Sequence, residues 1–170
     1  MDIQTYFEEL DENTTSIVQL VQSCPENQLH VKQGEAWSVM EILEHILLTE
    51  RVVISLISRP SERLHTSEAL FGKEKMFHLL VTRRDKKIEA PVGLHPKGNL
   101  TTSVDFEKQF VTQRNLLKQH LLDGTIVIDS KMHKHPFLGD MPIADWLYMI
   151  IHHSLRHAEQ IKAARVETKG

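Results

Sequence analysis

Imidazole is the chemistry to place first, because 11 of the 170 residues are histidine. His153 and His157 stand four apart in a segment that reads as a helix from about Pro142 to Val166. Side chains at that spacing lie one above the other on a helical face, about 5–6 Å apart at Cβ. At 100° per residue their direction coincides with Trp146 and Ile150 and falls close to Ile161 and Ala164, the apolar face. His152 points the other way, beside Tyr148 and Glu159, which assigns it to a polar face, while Gln160 falls next to the His153/His157 row. His45 sits midway along a second apolar segment, flanked in direction by Val52 and Leu56, with Glu41, Glu44 and Arg51 as a polar edge to one side. It is expected inward or at the boundary.

A core imidazole carries two polar nitrogens, and each one left unsatisfied costs about 1–3 kcal/mol. Backbone or water can satisfy them, and so can a metal ion; spacing alone leaves both readings open. Two histidines at i, i+4 with a third from a facing helix offer three nitrogen donors on one side of a cation. Positions then stay open for water or substrate, as catalytic zinc sites require. Imidazole suits zinc, nickel, copper and iron, so donor type does not name the metal. A rival pair, His133 and His135, flanks Lys134 just before Pro136 and reads as solvated or turn-forming. His30, His65, His78, His95 and His120 show no spacing that argues for a role. Glu50 falls among Val39, Leu43, Ile46 and Ile57 on the wheel, so its carboxylate must have a partner.

Four helical segments must position these groups. The first runs from about Ile3 to Ser23, with Tyr6, Phe7, Leu10, Ile17, Leu20 and Val21 as its stripe, and stops at Cys24-Pro25. The second starts at Trp37-Ser38, where Ser38 and Glu41 have capping-box spacing, and ends near Ser58 before Arg59-Pro60. The third spans about Val104 to Leu122, with Phe106, Phe110, Leu116, Leu117 and Leu121 apolar and Asp123-Gly124 closing it. The fourth starts near Pro142. Some forty residues separate the second and third helices, with one short helical candidate at about Gly72 to Thr82. A connection of that length points to a crossover or a lid. Ser130 to Met141 reads as irregular, and Thr125 to Ile128 as at most a short strand.

Composition narrows the function. Net charge is -3 and the basic run Arg83-Arg84-Asp85-Lys86-Lys87 is diluted by acids and reads as a solvated turn, so no footprint for nucleic acid is present. With Cys24 the single cysteine, the chain has no internal disulfide, and any metal site is built from histidine and carboxylate. The N-terminus lacks the pattern of a signal peptide, and no apolar run reaches the roughly 18 residues needed to span a bilayer. The expectation is one cytoplasmic domain over residues 1–170.

Trp37-Ser38-Val39-Met40-Glu41-Ile42-Leu43-Glu44-His45 resembles the opening of the second helix in the DinB/YfiT-like superfamily of metal-dependent four-helix-bundle proteins. His135-Pro136-Phe137-Leu138-Gly139, then Trp146, then His153-x-x-x-His157-x-x-Gln160-Ile161 is similar to that family's later pattern. Lys87-Ile88-Glu89-Ala90-Pro91 is similar to its long crossover. The resemblance spans nearly the whole chain, and the family's three metal-binding histidines fall on His45, His153 and His157. It implies an all-α, four-helix bundle with a long crossover between the second and third helices. It further implies a divalent transition metal, zinc or nickel first and iron or manganese next, and a homodimer. Some relatives are thiol-dependent S-transferases using a low-molecular-weight thiol, and others are described as hydrolases. The expected function is therefore a metal-dependent transferase or hydrolase acting on a small molecule. The alternative is a non-catalytic metal-binding stress-response protein working as a dimer or through a partner.

Overall fold

The computed structural model describes residues 1–83 and 89–167, with side chains as far as Ala164. Most of the expected basic turn, from Arg84 to Lys87, and Ile88 of the expected crossover lie outside the described residues. The chain is mostly helical. Among the described residues, five α-helices, α1 (Ile3–Gln22), α2 (Val39–Ile57), α3 (Gly72–Phe77), α4 (Ser103–Leu122) and α5 (Ile143–Glu167), accompany one antiparallel hairpin, β1 (Met132–His135) and β2 (Gly139–Pro142).

Local chemistry sets the ends of the long helices. The Asp2 carboxylate accepts from the Thr5 amide at 2.8 Å at the start of α1. Ser38 and Glu41 form a reciprocal capping box at α2, and the Thr102 hydroxyl caps α4 by accepting from the Asp105 amide. Gly124, at φ +80°, turns the chain away just past α4.

Helices α1 and α2 each pack against both α4 and α5. Tyr6 and Leu10 share one apolar cluster with Val53 and Ile57, Leu117, and Ile143 and Trp146. Ile17 and Val21 share the other with Leu43 and Ile46, Phe106 and Phe110, and Ala158 and Ile161. Thus α1 and α5 run one way, and α2 and α4 the other. The parallel pair α2 and α4 needs a return path, which explains the long connection.

A buried polar layer separates the two apolar halves. Arg114 of α4 forks onto Glu50 of α2, with Nη2 to Oε1 at 2.6 Å and Nε to Oε2 at 3.2 Å. Its Nη1 donates to Asn13 Oδ1 and Thr14 Oγ1 of α1 at 2.7 and 3.0 Å, and Nη2 donates to Ser154 of α5 at 3.2 Å. One guanidinium therefore ties together all four long helices, and it gives Glu50 the partner its position demands.

Three expectations are corrected. The first concerns residues 130–141, which are not irregular: beside the mostly helical bundle, the hairpin pairs His133 with Met141 and His135 with Gly139. The Trp146 indole donates to the His133 and Met141 carbonyls, stitching this hairpin to α5. His133 is consequently buried rather than solvated, and His135 is half-buried against the Trp146 ring. The extended stretch lies here and not at Thr125 to Ile128, where no strand forms. The second concerns His152, which is only 4% exposed because α3 crosses α5 at this point and sets the Phe77 ring 5.4 Å from the imidazole. The buried Asp145 carboxylate anchors that crossing by accepting from the amides of Leu70, Phe71 and Gly72 at 2.6–3.2 Å. The third concerns two expected faces: Glu44 of the polar edge beside His45 is buried, while Val52 and Leu116, expected on apolar stripes, face solvent.

Candidate metal centre

The end of the molecule formed by the start of α2 and the later turns of α5 brings together His45, His153 and His157. Their ring centroids are 4.4–5.1 Å apart, and one nitrogen from each lies within 4.8 Å of the others. His45 and His157 are buried and His153 is half-buried. Helix α5 presents its pair because i and i+4 share a face, and the antiparallel packing of α2 lays His45 across them.

Hydrogen bonds orient two of the rings. His45 Nδ1 lies 2.8 Å from the Leu94 carbonyl, which can only accept, so Nδ1 carries the proton and Nε2 keeps a lone pair. His157 Nδ1 donates to Gln160 Oε1 at 2.7 Å, which again leaves Nε2 as the acceptor. His153 Nε2 and His157 Nε2 are 3.1 Å apart, while His153 Nδ1 is buried with no hydrogen-bond partner. A cation held by imidazole at about 2.0–2.1 Å sets its nitrogens about 3.0–3.4 Å apart, so the α5 pair already has the required separation. Fixing the outer nitrogen of a histidine ligand with a carbonyl is a common support for metal binding. The donor set therefore fits a transition metal.

Electrostatics favours the form a metal needs. Burial pushes the His157 imidazole down to about 3, with nearby His45 adding to the effect and the Gln160 hydrogen bond opposing it. Burial, followed by His157 and His45, holds His153 well below the ordinary value. Burial lowers His45 as well, against the Leu94 hydrogen bond. Three neutral imidazoles remain, each free to donate a lone pair.

The crossover closes one side of the site. Trp37 packs on His45 at 5.1 Å between centroids, and His95 packs edge-on against Trp37 at 5.8 Å. The Glu44 carboxylate accepts from the Gly98 and Asn99 amides, pinning the segment that carries Leu94. His95, Leu94 and Glu44 give no sequence signal for this wall, because their contacts are long-range. Gln160 was legible from its place beside the histidine row.

The profile of the DinB superfamily matches residues 9–161, a span that contains all three histidines and all four long helices but the first turns of α1 and the last of α5. The chain belongs to the DinB superfamily. A relative in this superfamily, the uncharacterized protein YuaE of Bacillus subtilis (strain 168), is 22% identical over 129 residues, covering 76% of this chain and 77% of its own. No solved structure matches the chain. No described helix of this DinB-superfamily protein is long and apolar enough to cross a membrane.

Proposed function

We propose that the protein is a four-helix bundle that binds a divalent transition metal, zinc or nickel first and iron or manganese next, through His45, His153 and His157. We further propose that it is a metal-dependent enzyme acting on a small molecule, with thiol transfer preferred over hydrolysis. The observation that carries the reading is the convergence of three neutral imidazoles from two helices, two with their outer nitrogens already fixed. A cation held there supplies the positive charge that brings the pKa of a thiol or water toward neutrality.

The chain's own residues do the rest. Leu94 and Gln160 hold the tautomers of His45 and His157, and Trp37 with the crossover keeps water from the His45 side. His153, the least buried of the three, marks the side left for a substrate. A second reading, a non-catalytic metal-binding protein, draws support from the 4% and 7% exposure of His45 and His157.

Metal content of protein prepared without a histidine tag tests the site. Bound transition metal that is lost in His45→Ala and His153→Ala supports it. Protein that carries no such metal, and is not stabilised by adding zinc, nickel, iron or manganese, overturns it. Metal-dependent turnover of a haloarene or epoxide with a thiol panel then separates enzyme from binding protein.

A further inference from the structure

A second polar cavity lies away from the histidine triad. Its lining includes Ile57 and Ile143, and Ile143 precedes His153 by ten residues, about 15 Å of helix. The cavity has a volume of about 240 Å³, roughly eight water molecules' worth. The loop after α2 brings Arg59 and Ser61 to it, and the approach to the hairpin brings Asp129, Lys131 and His133.

The hydrogen-bonding inventory of this cavity is lopsided. Ser58 and Ser61 donate to the Ile54 and Met132 carbonyls, so their hydroxyl protons are already used. Asp129 is tied back, its Oδ1 accepting from the Lys131 amide at 2.8 Å, with its Oδ2 3.8 Å from Lys131 Nζ. Arg59 has no carboxylate partner among the described residues and makes only a 3.3 Å contact with Ser55 Oγ. His133 is 8% exposed, yet no hydrogen bond to its ring is found among the described residues. Its ring nitrogens are not among the buried, partnerless atoms, so the imidazole edge is reachable from the cavity.

The donors at the cavity are thus one guanidinium without a carboxylate partner, one ammonium that Asp129 meets only at 3.8 Å, and one imidazole N–H. Two are permanent cations, against the single Asp129 carboxylate. A carboxylate ligand offers two oxygens to three donors, whereas a phosphate monoester offers three terminal oxygens and a charge that rewards both cations. Ile57, Val127 and Ile143 leave an apolar side for a small organic group. We propose that this cavity binds a small phosphorylated molecule, with its phosphate held by Arg59, Lys131 and His133. The site is independent of the metal centre and adds a second ligand to the molecule.

The test uses the intact protein, with inorganic phosphate, phenyl phosphate and acetate as probes. Binding is followed by calorimetry and by the NMR signals of the His133 ring. Phosphate should move the His133 signals, phenyl phosphate should bind more tightly, and acetate should bind at least tenfold more weakly. Arg59→Gln and Lys131→Gln should each weaken phosphate binding about tenfold or more. Both side chains are exposed, so melting temperatures should stay unchanged. Unmoved His133 signals, binding that survives both substitutions, or acetate binding as tightly as phosphate would overturn the proposal. A zinc titration unaffected by Arg59→Gln separates this outcome from the fate of the metal site.

Discussion

Replacing Arg114 by Met should destabilise the protein more than any surface substitution can. Arg114 and Glu50 are 2% and 1% exposed, so neither charge can fall back on solvent. Removing the guanidinium strands the Glu50 carboxylate and leaves Asn13 Oδ1 without its 2.7 Å donor. Breaking a buried pair from one side costs about 3–5 kcal/mol. For a chain of this size each kcal/mol moves the melting point by about 2–4 °C, so a fall of about 6–20 °C is expected. Met fills much of the arginine's volume and can still pack on Phe110, where the guanidinium now lies 4.0 Å from the ring centroid. The loss should therefore be electrostatic. The double variant Glu50→Met/Arg114→Met removes the stranded charge and should regain about 2 kcal/mol or more relative to the sum of the single variants. Urea denaturation of the four metal-free proteins at neutral pH measures all three differences. Additive single effects, or a cost of less than about 1 kcal/mol for Arg114→Met, would refute the reasoning that one ion pair holds the layer.

Asp145→Ala should free the crossover before it unfolds the rest, because three backbone amides lose one shared acceptor. Hydrogen exchange should accelerate at residues 70–72 by at least tenfold, about 1.4 kcal/mol or more of local stability, while the centre of α4 stays protected. The metal-free protein should lose stability in mild acid. His157 has a folded value of about 3 and an unfolded one near 6.5, so its contribution is complete above the unfolded value and fades as pH falls toward 3. Between pH 7 and 5 this one group removes about 2 kcal/mol, and His157→Gln should flatten that part of the pH–stability curve. Gln160→Ala should weaken zinc affinity about tenfold or more without changing the fold, read by competition with a chelator.

The long helices were legible because their signals are local. Apolar periodicity, the Ser38/Glu41 cap and Asp123-Gly124 fix their ends to within a residue or two. The same periodicity put His153 and His157 on one face and marked Glu50 as needing a partner. It could not name Arg114, 64 residues away, because a wheel describes one helix and not what packs on it. His152 and Glu44 fail for the same reason: faces opposite the core stripe look polar until a crossover covers them. The hairpin escaped because Met132–His135 and Gly139–Pro142 are short, and their side chains follow no clean alternation of apolar and polar types.

The connection from α2 to α4 contains far more chain than its task requires. Returning along α2 means covering about 28 Å, a distance that some nine extended residues would span, yet residues 58–102 are devoted to it. Among its fastenings are the backbone pairing of residues 63–65 with 130–132, the hold of Asp145 on residues 70–72, and the contacts of Glu44 and His45 with residues 94–99. The helices bearing the three imidazoles and the wall that screens them are thus separate pieces of chain. Lengthening or reshaping the wall between those anchors leaves the helices that carry His45, His153 and His157 in place, so what reaches the three imidazoles can change while their geometry does not.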